Sequence, residues 1–136
     1  MAESIYSTKQ SSNRSIASVR QRARIYEQRI CAWKSGEWDG TSPCGELSDY
    51  IRKYMLGKHN NSCAQCGWNS INPTHGNCPV QIEHIDGNSA NNLESNLTVL
   101  CPNCHSLTAT YGALNKGRGR FARRMRDRNH SNLLIQ

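Results

Sequence analysis

Two Cys-x-x-Cys pairs, Cys63/Cys66 and Cys101/Cys104, enclose a segment carrying Glu83-His84, and His105 follows directly on the last cysteine. Two such pairs can supply four thiolates in tetrahedral geometry, and a metal closed off by four sulfurs has no open position for water or substrate. The spacing therefore points to a structural zinc ion on Cys63, Cys66, Cys101 and Cys104. The 34 residues between Cys66 and Cys101 exceed the interval of a simple zinc ribbon, so a further piece of structure must fill the gap. Disulfides are the other use of closely spaced cysteines. The total of seven is odd, however, and there is no signal peptide, which fits a reducing, cytoplasmic compartment better. Cys31, Cys44 and Cys78 are scattered and read as buried inert thiols rather than a second metal site. The clamp thus wraps a candidate catalytic centre, with one carboxylate and two imidazoles available to hold an ion or move a proton.

The elements that must position these groups follow from periodicity and breakers. Residues 1–13, rich in Ser, Gln and Asn, read as disordered. Ile16, Val19, Ala23, Tyr26, Ile30 and Trp33 then recur at steps of three and four, predicting a helix that stops at Ser35-Gly36, with Arg20, Arg22, Arg24 and Arg29 off its apolar stripe. Residues 36–46 are a loop by their Gly and Pro content, and Ser48 is the N-cap of a helix carrying Ile51, Tyr54 and Met55 up to Gly57. A long turn over 67–79 leads into an alternating stretch, Val80 to Ile85, that reads as a strand, with Asp86-Gly87-Asn88 as the turn after it. A second strand spans Leu97 to Leu100, and Cys101-Pro102 opens a helix that runs through His105 towards Tyr111. Adjacent residues of a regular strand face opposite ways, so bringing Glu83 and His84 to one site calls for twist or a bulge.

Charge is divided along the chain. Residues 1–59 hold ten Lys/Arg against six Asp/Glu, residues 60–110 hold none against three, and residues 111–136 hold seven against one. Basic arms around a non-basic centre fit a polyanion whose backbone is gripped at the flanks while acceptor ligands work in the middle. Arg20, Arg24, Lys116, Arg118, Arg120, Arg123 and Arg124 are the candidate DNA contacts, although a solvated charged face and a basic tail that merely aids solubility are the plainer alternatives. No apolar run is long enough for a membrane span. At 136 residues and 36% hydrophobic, the chain makes one domain with a small core, so metal binding contributes directly to folding.

The string Ile82-Glu83-His84-Ile85-Asp86-Gly87-Asn88, followed by Glu94-Ser95-Asn96-Leu97 and Leu100-Cys101-Pro102-Asn103-Cys104-His105, resembles the HNH endonucleases. The three motif positions would be His84, Asn96 and His105. The likeness covers about residues 60–116, and SGEWDG, LSDYIRKYMLGKH and CHSLTATYGALNKGRGR extend it towards small stand-alone bacteriophage HNH proteins. It implies an α+β fold with a ββα-metal core and a structural zinc site, flanked by N-terminal helices and a basic C-terminal tail. The expected organisation is a disordered 1–13, a helical basic arm over 14–59, the zinc-stabilised core over 60–116 and the tail over 117–136.

The resemblance also implies roles. His84 would be the general base towards water, while Glu83 and His105 would hold one catalytic divalent ion, magnesium or another. Asn96 would bond backbone groups across the loop and so orient the base. The product ends would be 5′-phosphate and 3′-hydroxyl, on DNA, in a host cytoplasm for a phage-encoded protein, with a homodimer or a phage-encoded protein as partner. This sequence departs from the family pattern at Glu83, often Asp or His there, and at Ala109, where some relatives carry another histidine. The alternatives are a catalytically silent zinc module that binds nucleic acid through its arms, and a protein-binding zinc module, against which the charge division argues.

Overall fold

The first 35 residues contain no glycine or proline, and a helix once nucleated gains one hydrogen bond for each further residue it fixes. In the computed structural model, which describes residues 3–115, helix α1 accordingly spans Glu3–Ser35. It takes in residues 3–13: the stretch is polar, but nothing in it breaks a helix continuous with the stripe that follows. Gly36, at φ +81°, ends α1 and donates its N–H to the Trp33 carbonyl at 3.2 Å, a left-handed cap that glycine adopts without strain. The Arg29 guanidinium lies 5.2 Å over the Trp38 ring. Only the C-terminal end of the stripe is covered: Ile30 and Trp33 are buried, whereas Ile16 and Val19 remain 50% and 54% exposed.

A second compact unit begins at Asp39. Within it, helix α2 (Asp49–Lys58) packs on the sheet. The loop before it folds back on itself through a Thr41–Leu47 bridge and a 2.9 Å bond from Ser48 N–H to the Gly40 carbonyl. Ser48 caps α2 (Asp49–Lys58), its hydroxyl accepting from Tyr50 N–H at 3.3 Å. Ile51 and Met55, one turn apart on a single face, are fully buried against the sheet together with Val99.

The sheet has two antiparallel strands, β1 (Gln81–His84) and β2 (Leu97–Leu100), in unbroken register from Gln81 opposite Leu100 to His84 opposite Leu97. β1 is one residue shorter at each end than the alternation predicts. Cys101 leads into α3 (Pro102–Ser106), with Pro102 at the first position and the Cys101 sulfur accepting from Cys104 N–H at 3.4 Å. α3 is only five residues long, not the helix reaching towards Tyr111 that the sequence predicts. The Thr108 hydroxyl takes the His105 carbonyl at 3.0 Å, offering that backbone a turn in place of another helical bond. The chain then doubles back through a 3-10 turn at Gly112–Leu114. The result is α+β: strand, loop, strand and short helix, preceded by two helices. Among the described residues no helix is long and apolar enough to cross a membrane.

Candidate functional site

The two knuckles meet. Cys63, Cys66, Cys101 and Cys104 bring their sulfurs within 4.8 Å of one another, with Cys66 and Cys101 3.7 Å apart, and all seven cysteines are free thiols. The 34-residue interval closes because Ala64 N–H bonds the Val99 carbonyl at 2.8 Å, tying the first knuckle to the strand that runs directly into the second. Burial pushes the Cys104 thiol up to about 12, helped by the neighbouring thiols of Cys101, Cys66 and Cys63. Burial also acts to raise Cys63, but backbone hydrogen bonds at Cys101, Cys66 and Gln65 outweigh it and bring that thiol down to about 6. Four sulfurs this close cannot all ionise without a cation among them, and the donor set and spacing fit tetrahedral zinc. Cys31 and Cys44 are exposed and Cys78 half-buried, so none of the three is the buried inert thiol expected.

Immediately beyond the last cysteine, His105 turns towards β1. Its Nδ1 lies 2.8 Å from Glu83 Oε2 but without the alignment of an N–H···O hydrogen bond, and the atom is buried with no hydrogen-bond partner. The other carboxylate oxygen, Glu83 Oε1, accepts from the Thr110 hydroxyl at 2.9 Å. Tyr111 meets the His105 ring edge-on, with centroids 5.1 Å apart. Glu83, His84 and His105 line one open cleft of about 410 Å³. The register through β1 is unbroken, so no bulge brings Glu83 and His84 together. His84 is instead the last residue of the strand, where the chain turns and Gly87 N–H bonds the His84 carbonyl at 2.9 Å.

The strand-to-strand loop is a web of amides. Asn96 is buried and its amide is turned to the loop: its Oδ1 accepts from Asp86 N–H at 3.0 Å, and its Nδ2 donates to Asp86 Oδ1 at 2.9 Å and to the Asn91 carbonyl at 2.8 Å. The contact to His84 comes from Asn92, whose Oδ1 is 2.8 Å from Nε2. Asp86 also accepts from Asn88 N–H and from Asn91 Nδ2, each at 2.8 Å. Burial acts to raise its carboxyl, but the bonds from Asn91, Asn88 and Asn96, with the neighbouring His84, hold it below the usual carboxylate range. Gly87 is required on two counts: its φ of +72° is strained for other residues, and a Cβ there would come within 2.8 Å of Thr110 Cγ2; its carbonyl accepts from the Asn115 amide at 2.7 Å.

The cleft thus gathers three of the residues singled out in the sequence, with Asn96 beneath it as part of the loop. Thr110 is an addition that spacing does not mark; Asp86 reads from the sequence only as part of a turn, and Asn92 is one of four close asparagines, Asn88, Asn91, Asn92 and Asn96, of which only the Glu-Ser-Asn-Leu context picks out the last. Arg20 and Arg24 are exposed on α1. Lys116, Arg118, Arg120, Arg123 and Arg124, with the remainder of the tail, lie outside the described residues.

No family model matches the chain. Among solved structures, the Type IV phosphorothioation-dependent restriction endonuclease ScoMcrA is 24% identical, with a TM-score of 0.43 over 77% of this chain and 22% of that one. In sequence, 75 residues, 53% of this chain, are 44% identical to the H-N-H endonuclease F-TflIV of Escherichia phage T5 and cover 32% of it. The matched stretch amounts to about a third of that relative's length, and over it the chain is similar to a bacteriophage H-N-H endonuclease.

Proposed function

We propose that this chain is a metal-dependent DNA endonuclease of the HNH type that hydrolyses phosphodiester bonds to leave 5′-phosphate and 3′-hydroxyl ends. The observation that carries this reading is the 2.8 Å approach of Glu83 Oε2 to His105 Nδ1 without hydrogen-bond alignment, in a cleft that His84 shares. An imidazole and a carboxylate at this distance share either a proton or a metal ion, and the lack of N–H···O alignment favours the ion. Glu83 and His105 hold a divalent ion in this reading; an oxygen and an imidazole together suit magnesium, manganese or nickel. Bound there, such an ion draws charge from the phosphate and from the departing 3′ oxygen. His84 accepts the proton of the attacking water. Asn96 holds the loop behind it, and the four cysteines hold a structural zinc ion that fixes α3 and therefore His105.

Arg20 and Arg24, with Lys116, Arg118, Arg120, Arg123 and Arg124, would take phosphates on either side of the cleft, supplying affinity rather than sequence choice. One site cuts one strand, so a double-strand break calls for a homodimer, a phage-encoded protein partner or two successive nicks. The phage origin of the relative supports a phage-encoded enzyme acting in a host cytoplasm, in homing, restriction or genome packaging.

The test is conversion of supercoiled plasmid, and of a random-sequence DNA library, with magnesium or manganese, comparing the native protein with His84→Ala at equal zinc content. A native protein that nicks or linearises DNA, with a loss of roughly 10²–10⁴-fold in the variant, supports the reading. If both proteins bind DNA and neither cuts with any divalent ion, the chain is a silent zinc-containing nucleic-acid-binding module.

A further inference from the structure

Asn92 is 4% exposed, one of only three buried polar side chains among the described residues, and its amide reaches both His84 and Thr41. Its Oδ1 is 2.8 Å from His84 Nε2, and its Nδ2 donates to the Thr41 hydroxyl at 3.2 Å, a residue 51 positions earlier. A neutral imidazole carries a proton on one nitrogen and a lone pair on the other, and the partner of one nitrogen decides which is which. A carboxamide oxygen can only accept a hydrogen bond. Facing Nε2, it keeps the proton there and leaves Nδ1 as the basic atom.

We propose that Asn92, anchored by Thr41, is the positioning residue that sets the His84 tautomer, so that Nδ1 receives the proton of the attacking water. The inference rests on the nuclease reading for its last step, but not for the tautomer. It also redistributes the work among the loop asparagines. Asn96 bonds Asp86 and the Asn91 carbonyl, the residue just before Asn92, and so builds the loop on which Asn92 stands. Asn96 therefore acts on the base at one remove, through Asn92. Thr41 brings the loop before α2 into the same chain of contacts, through a part-buried hydrogen bond that joins segments 51 positions apart in sequence.

The experiment uses the full, zinc-loaded chain labelled with ¹⁵N-histidine, at an alkaline pH where imidazole is neutral. Long-range ¹H–¹⁵N correlations report for each ring nitrogen whether it carries the proton. In the native protein His84 is expected to be protonated on Nε2 and bare on Nδ1. In Asn92→Ala it should show a mixture of both tautomers, with kcat for DNA cleavage lowered about a hundredfold, within the span of general-base effects, and KM little changed. Asn92→Asp is the discriminating variant, because a carboxylate facing Nε2 also only accepts. It should restore the Nε2–H signal and most of kcat. Thr41→Val should move both readouts in the same direction as Asn92→Ala, by less.

A native His84 protonated on Nδ1 would overturn the inference, since the amide would then be reversed with its NH₂ on Nε2. So would an Asn92→Asp protein as inactive as Asn92→Ala, or an Asn92→Ala protein that folds with kcat unchanged. Should Asn92→Ala fail to fold, the native ring signals and the aspartate variant decide. Ring signals do not depend on cleavage. A protein that cuts no DNA yet shows an Asn92-dependent Nε2–H leaves the tautomer in place and removes only the nuclease reading.

Discussion

Glu83 divides its two oxygens between different tasks. Oε2 faces His105 Nδ1 at 2.8 Å, while Oε1 is occupied by the Thr110 hydroxyl at 2.9 Å, which fixes the rotation of the carboxylate and, in the proposed reading, leaves one oxygen for the ion. A glutamate carries one more rotatable bond than the aspartate common at this position in the resembling family, and Thr110 removes that freedom. Partners of this kind around a metal ligand are typically worth about 10–100-fold in metal affinity or activity. Thr110→Val, which keeps the shape and removes the donor, should therefore raise the manganese concentration giving half-maximal cleavage by roughly tenfold, while kcat at saturating manganese stays near native. Titrating cleavage rate against manganese for the two proteins checks it; an unchanged midpoint would mean that Thr110 only packs. Thr110 could not be read from the sequence, because it reaches Glu83 only where α3 stops at Ser106 and the chain doubles back.

At the scale of elements, the loop between β1 and β2 is organised around one anion. Asp86 accepts from Asn88 N–H, Asn91 Nδ2 and Asn96 Nδ2, and its own N–H goes to Asn96 Oδ1. Asp86→Asn puts a donor where a donor already points, so it should destabilise the fold by about 1–3 kcal/mol at neutral pH, measurable by urea denaturation. The pH dependence has a definite sign. The folded carboxyl lies below its ordinary value, so its contribution is complete above the unfolded pKa of about 3.9 and is lost as pH falls through the folded value. The stability gap between native protein and Asp86→Asn should thus be constant from neutral to about pH 5 and close on further acidification. A gap that widens towards low pH would show that Asp86 is not held as an anion. Much at this scale is legible from sequence: the Ser48 cap and Ile51/Met55 spacing mark α2, and Leu97–Leu100 is β2 to the residue. What is not legible has a physical cause. Asn88, Asn91, Asn92 and Asn96 are chemically identical, and only tertiary hydrogen bonding assigns one to the backbone and Asp86 and another to His84. The stripe of α1 is legible as a helix, but burial of Ile30 and Trp33 beside exposure of Ile16 and Val19 depends on packing that periodicity does not carry.

For the molecule as a whole, the four-cysteine cluster links stability to the cleft. The largest fully buried side chains among the described residues are only Ile51, Met55 and Val99, a small core for a unit that also orders a long loop. The cluster ties together the first knuckle, held to β2 through Ala64, the end of β2 at Cys101, and α3 at Cys104, whose next residue is His105. Structural zinc in small domains contributes about 10–16 kcal/mol of apparent binding free energy at neutral pH, more than a core of this size supplies, so folding and metal binding should be a single event. The purified chain is therefore expected to contain one zinc ion. Stripping it with a strong chelator should abolish the cooperative thermal transition and also cleavage, even in saturating magnesium. Zinc added back should restore both, and magnesium neither. Cys104→Ser should behave as the stripped protein does, because Cys104 is the buried thiol whose proton the metal must displace and sits beside His105. Calorimetry with metal analysis on the same samples checks the sequence of events. A stripped chain that keeps its melting transition would assign folding to the apolar core alone and leave the cysteines a dispensable ornament of α3.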